Sequence, residues 1–119
     1  MNRSKNKSMS QLFPPLITDL PEADVPINGV KAYLSQGSKH QIVFMEFSRD
    51  VIVPEHTHES QWGIMLEGKI ELTIDGVSKE FVKGDRFFIA TNSKHSAKIY
   101  AGYASMEFFN QVDRYKEKK

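Results

Sequence analysis

From Lys69 to Asp75 the chain alternates without a break, with Ile70, Leu72 and Ile74 on one parity and Glu71, Thr73 and Asp75 on the other. Successive strand side chains point to opposite faces, so this pattern describes a half-buried antiparallel strand. Asp75-Gly76 then stands between Ile74 and Val77. A two-residue type I′ turn needs positive φ at both positions, and Asp-Gly supplies it, so a hairpin is predicted here. An apolar strand face of this kind has to be buried against a second sheet or inside a closed barrel.

The rest of the chain reads the same way. Runs rich in β-branched and aromatic residues occupy 41–47, 51–53, 61–66, 86–90, 95–101 and 103–110, separated by Gly, Asp and Asn turn signals. No long helical period interrupts them. The fold class is all-β, a sandwich or barrel, and 119 residues suffice for one domain with a modest core. Residues 1–11 are polar and cannot bury enough surface to order themselves, so a disordered tail is expected. Residues 12–28 hold Pro14, Pro15, Pro21 and Pro26 among apolar side chains. Proline blocks helix interiors, so an extended arm is expected, docked on its own sheet or on that of a second subunit. Residues 29–110 form the barrel, and 111–119 a polar C-terminal tail or short helix.

Sixteen basic and fifteen acidic residues leave a formal net charge of +1. That balance gives no field to attract nucleic acid or an acidic membrane. The basic ends read as solvated tails. Without cysteine there is neither a disulfide nor thiol catalysis. No secretory signal is evident, and no run approaches the roughly 20 apolar residues of a membrane span. The default is a cytoplasmic protein that partners neither nucleic acid nor membrane.

Chemistry concentrates in two places. His56 and His58 lie two apart and can aim two imidazoles at one point. Gln61 follows three residues later, and His95 comes after Gly84-Asp85 and a second apolar run. If the fold brings Gln61 and His95 to the same point, three ring nitrogens and one amide oxygen surround a metal ion. Imidazole suits zinc, nickel, copper and iron. Gln61 is either a ligand or a hydrogen-bond partner that orients a histidine. Glu59 has the opposite parity and points away. His40 has no partner pattern and reads as a strand-edge residue. Gly63 and Met65 share the parity of Gln61 and face the interior, where Gly63 leaves space near the metal. Phe44, Phe47, Tyr100, Tyr103, Met106, Phe108 and Phe109 include the pocket wall. Glu46, Glu107, Tyr100 and Tyr103 are the general-base candidates. No nucleophilic triad, phosphate-binding glycine loop or paired-carboxylate arrangement is apparent.

The segment from His56 to Gly68 resembles the first motif of the cupin superfamily, in which His-x-His is followed by an acid and then a glycine. Gly84 to His95 resembles the second, with Ala90 in the usual proline place and Asn92 in the usual glycine place. The resemblance covers residues 38–109. It departs from the family pattern in three ways. Gln61 stands for glutamate, the gap from His58 to Gln61 is one residue short, and Ile99 replaces the second motif's terminal asparagine. The resemblance implies a double-stranded β-helix, or jelly roll, and a metal site at His56, His58, Gln61 and His95. The ion would be one divalent metal: Zn, Ni, Mn, Fe, Co or Cu.

A neutral amide in place of a carboxylate leaves the ion its full charge. That favours Lewis-acid chemistry on a carboxylate, carbonyl or enol substrate, as in an isomerase, lyase or cyclase. The alternatives are a metal-dependent dioxygenase and a non-catalytic small-molecule-binding protein. The apolar arm, and the resemblance to cupins of this size, imply a homodimer.

Overall fold

The structure, a computed structural model, describes residues 12–119. The tail expected over 1–11 lies outside the described residues.

Among the described residues nine strands follow one another: β1 (Val30–Gln36), β2 (Gln41–Phe47), β3 (Val51–His56), β4 (Gln61–Glu67), β5 (Lys69–Ile74), β6 (Val77–Val82), β7 (Arg86–Ile89), β8 (His95–Ile99) and β9 (Ala104–Phe109). They form two sheets, ordered β1-β2-β9-β4-β7 and β3-β8-β5-β6, with antiparallel pairing throughout. The chain is an all-β jelly roll. Its core lies between the sheets, where Val43, Met45 and Phe47 of one meet Val51, Ile70, Leu72 and Ile99 of the other. Burying apolar area of this kind is the main favourable contribution to folding.

The central hairpin forms as its residues dictate. Ile74 pairs with Val77 across Asp75 (φ 49°) and Gly76 (φ 83°), the positive φ pair of a type I′ turn. The backbone N–H of Asp75 donates to the Lys94 carbonyl at 2.8 Å, and the Lys94 N–H returns to the Asp75 carboxylate at 3.2 Å. The turn thereby holds the loop that delivers His95. At the β4–β5 corner a Cβ on Gly68 (φ 82°) would come within 2.6 Å of the Tyr103 Cα, so only glycine fits there.

The proline-rich arm departs from the extended reading. Pro15–Thr18 form one helical turn, α1, entered from extended Pro14. Proline is well tolerated at the first helical position, because its missing N–H would have no partner there and its φ is already helical. Phe13 packs edge-on against Tyr33 and Phe44 of the protein's own first sheet. Farther along, Glu22 bridges Tyr33 and Ala23 bridges Glu117.

The C-terminal segment is neither a helix nor a loose tail. The Asp24 N–H donates to the Lys116 carbonyl and the Lys118 N–H to the Glu22 carbonyl, both at 2.7 Å. Buried Gln41 grips Tyr115 at both backbone atoms, donating to its carbonyl (2.8 Å) and accepting from its N–H (3.1 Å). Among the described residues, no helix is long and apolar enough to cross a membrane.

Candidate metal centre

His56 reaches the interior through an irregularity. Val51 and Val53 face inward on odd numbers, yet His56 also faces inward and pairs with His95. The register advances three residues on β3, from Val53 to His56, against two on β8, from Ala97 to His95. The extra residue is a β-bulge containing Pro54, one of the few places a strand accepts proline. It shifts the side-chain phase and turns His56 into the cavity. His58 lies just beyond the end of β3, so a loop, not strand alternation, brings it alongside. Glu59 is exposed, and its carboxylate accepts from the Thr91 hydroxyl at 3.3 Å.

The three rings converge. Centroids lie 4.1 Å apart for His56 and His95, 4.6 Å for His58 and His95, and 5.2 Å for His56 and His58. One ligand atom from each can be chosen so that all three lie within 4.8 Å of one another. Each Nδ1 meets a backbone carbonyl: His56 that of Pro54 (2.8 Å), His58 that of Glu59 (2.7 Å) and His95 that of Ser93 (2.9 Å). A carbonyl only accepts, so each Nδ1 carries a proton, and the nitrogen each ring has left to offer an ion is Nε2.

The Nε2 atoms of His58 and His95 stand 3.0 Å apart. Two lone pairs that close repel unless a proton or a cation lies between them. Protonation is disfavoured here, because burial lowers the His58 pKa to about 4 and lowers that of His95 as well. An ion about 2.0–2.1 Å from each nitrogen needs them no more than about 4.2 Å apart, and this pair satisfies that limit. The donor set fits a divalent ion, with His56, His58 and His95 as the residues that could hold it.

Gln61 lines the same cavity and is buried. Its amide nitrogen donates to Glu107 at 2.7 Å, which leaves the amide oxygen as the atom it can offer an ion. Glu107 also accepts from the Tyr103 hydroxyl (2.8 Å) and the Ser105 hydroxyl (2.6 Å). Burial raises the Glu107 pKa, although these three donors and the Arg114 charge all pull it down. Of the four general-base candidates, Glu107 and Tyr103 line the cavity and Glu46 and Tyr100 do not.

The cavity measures about 450 Å³, within the range that holds a small molecule. Of the aromatic wall expected from sequence, Phe47, Tyr103 and Phe109 line it, while Phe44, Tyr100, Met106 and Phe108 lie elsewhere. Gly63 and Met65 do face inward. The space beside Gly63 is not open to a ligand, however: the Phe87 ring fills it, 2.5 Å from where a Cβ would be. His40 stacks on Phe108 at 4.8 Å, away from the cluster. Arg114 and Tyr115 of the C-terminal segment complete the wall, and no local pattern in the sequence marks them.

Two antiparallel sheets around a cavity with three convergent histidines define a class of barrel that typically holds a metal or a small ligand. The Cupin domain model (Cupin_2) matches residues 43–110, more than half of the chain, and the chain belongs to this family. No curated protein matches it in sequence. Among solved structures, an RmlC-like cupin from Shewanella frigidimarina NCIMB 400 is similar at 23% identity and a TM-score of 0.72, over 88% of this chain and 95% of that one. KdgF from Halomonas sp. is 20% identical with a TM-score of 0.65, over 76% and 87%. A variant of Bacillus subtilis oxalate decarboxylase is 20% identical with a TM-score of 0.67, over 82% of this chain but 29% of that chain.

Proposed function

We propose that this cupin binds one divalent metal through His56, His58, His95 and the Gln61 amide oxygen, and acts on a small oxygen-bearing molecule in the cavity. The observation that carries the reading is the set of three Nδ1–carbonyl bonds on three clustered rings, which leave Nε2 of each as the nitrogen free to bind an ion. A bound ion would supply Lewis acidity, polarising a carbonyl or carboxylate oxygen. The chain's own groups do the rest. Glu107 and Tyr103 can hold or move a proton at the cavity wall. Apolar Val53, Leu72 and Ile99 keep water out, which strengthens every polar interaction inside. Isomerase, lyase or cyclase chemistry fits this combination. The Mn(II) centres named for oxalate decarboxylase from Bacillus subtilis make manganese the first ion to load.

Elemental analysis of the purified protein beside His58→Ala tests the centre. Near one equivalent of metal in the parent and little in the variant is the expected result. One equivalent retained by the variant would sink the assignment.

We further propose that the chain pairs with a second copy of itself. Trp62 is paired with Phe88 on one side and Phe108 on the other, an aromatic row on the outer face of the first sheet. All three are exposed, Phe88 by 60%.

A further inference from the structure

We propose that Arg114 is the anion-recognising side chain of the cavity, and that the molecule bound there is a small organic acid whose carboxylate the guanidinium clamps. This rests on the reading of the cavity as the ligand site and adds the chemistry of the ligand.

The placement comes first. Arg114 belongs to a segment fixed on both sides of it. Gln36 donates to the Val112 carbonyl at 3.1 Å, and Gln41 holds both backbone atoms of Tyr115. The Arg114 Cζ lies 4.6 Å from the Tyr115 ring centre and 5.7 Å from that of Phe109. Phe109 in turn meets the His58 ring at 5.5 Å. One aromatic ring therefore touches both the histidine cluster and the guanidinium, and all of them line one cavity.

The second observation is an unmet need. Arg114 Nε is buried and has no hydrogen-bond partner, the only such side-chain atom among the described residues. A buried donor on a charged group is costly to leave unpaired. No carboxylate among the described residues lies within 4.0 Å of the guanidinium. The two acids that line the cavity are Asp24 and Glu107. Glu107 already accepts from Gln61, Tyr103 and Ser105. The protein has positioned a cation in its cavity wall beside two rings, near enough to Glu107 to feel its charge but with no carboxylate in ion-pair contact.

The chemistry follows from the guanidinium itself. It is planar and always charged, and its N–H fork matches the two oxygens of a carboxylate. The Tyr115 and Phe109 rings, set edge-on to each other at 81°, put aromatic surface on two sides of the guanidinium. A ligand carboxylate would meet the two terminal nitrogens of the guanidinium, which no protein group engages and which, unlike Nε, are not covered, and would bring a second oxygen-bearing group within the same small cavity as the histidines.

The test compares parent, Arg114→Gln and Arg114→Lys by calorimetric titration with malonate and with its uncharged diamide, malonamide. Each protein is used both manganese-loaded and metal-stripped, after its metal content and thermal midpoint have been measured. Malonate also ligates metals, so the deciding comparison is parent against variant at equal metal content. Arg114→Gln is expected to lose about tenfold or more in malonate affinity and nothing for malonamide. Arg114→Lys, which keeps the charge but not the fork, should fall between and covers the case in which the glutamine variant does not fold. Equal malonate affinity in parent and variants, or no malonate binding by the parent in either metal state, overturns the proposal. A parent that takes up neither manganese nor any of zinc, nickel, cobalt, copper and iron(II), yet shows Arg114-dependent malonate binding, refutes the metal reading and leaves this one standing.

Discussion

Glu107 illustrates how much one side chain can organise. It accepts three hydrogen bonds inside the barrel, from Gln61, Tyr103 and Ser105. Removing it strands three buried donors at once. Glu107→Ala is therefore expected to cost at least about 1–3 kcal/mol, read as a lower urea midpoint with an unchanged slope. It should also free the Gln61 amide to rotate and so weaken metal retention. An unchanged midpoint would mean that water entering the cavity replaces the carboxyl fully. The histidines were legible in the sequence because their chemistry is rare and their spacing tight. Glu107 was legible only as one of four candidates. What distinguishes it from Glu46 is a strand register that sets it opposite Gly63 and two residues from Phe109, and spacing alone does not give that register.

At the scale of elements, the strands were readable because alternation and turn chemistry agree at almost every position. The parity change in β3 left a trace, since inward Val51 and Val53 are odd-numbered and His56 is even, with a proline between. The path of the C-terminal segment left none. Its polar residues are those of a solvated tail, and only its backbone pairing with the arm and the grip of Gln41 place it in the fold. Tyr115 gives a way to test that docking. Burial chiefly, with help from Glu107 and against Arg114, raises its phenol pKa from 10.0 to about 12. A pKa raised in the folded state means stability fully present below the unfolded value and lost as pH rises through the folded one. The thermal midpoint should accordingly fall as pH climbs from 10.0 toward about 12. Tyr115→Phe, which has no proton to lose, should flatten part of that fall; an identical curve would assign it to other groups.

For the whole molecule, the arm and the outer face answer different needs. Phe13 is seated on the protein's own sheet, which leaves Trp62, Phe88 and Phe108 as the large aromatic surface open to a partner. If two copies pair there, Trp62→Arg sets a charge in the middle of the contact. The variant should elute at monomer size where the parent elutes as a dimer, with its thermal midpoint nearly unchanged at low concentration. A parent already monomeric at high concentration would refute the pairing. In the sequence the expectation of a dimer rests only on surplus apolar surface and on the resemblance to small cupins. Which part of it stays uncovered depends on how the arm folds back.

The pairing of β2 with β9 sets Gln41 opposite Phe109, and that of β3 with β8 sets His56 opposite His95. Such distant partners place this chain among the slow topologies, folding over roughly milliseconds to seconds. Timing then separates the two halves of the site. His56 and His58 leave the ribosome together, long before His95 and Arg114 have been made. An ion that arrives early meets only a mobile pair of imidazoles with nothing to close around it. If the site takes a metal, it should therefore bind after the barrel has closed, and the metal acquired would depend on the supply around the folded protein more than on the supply at its synthesis.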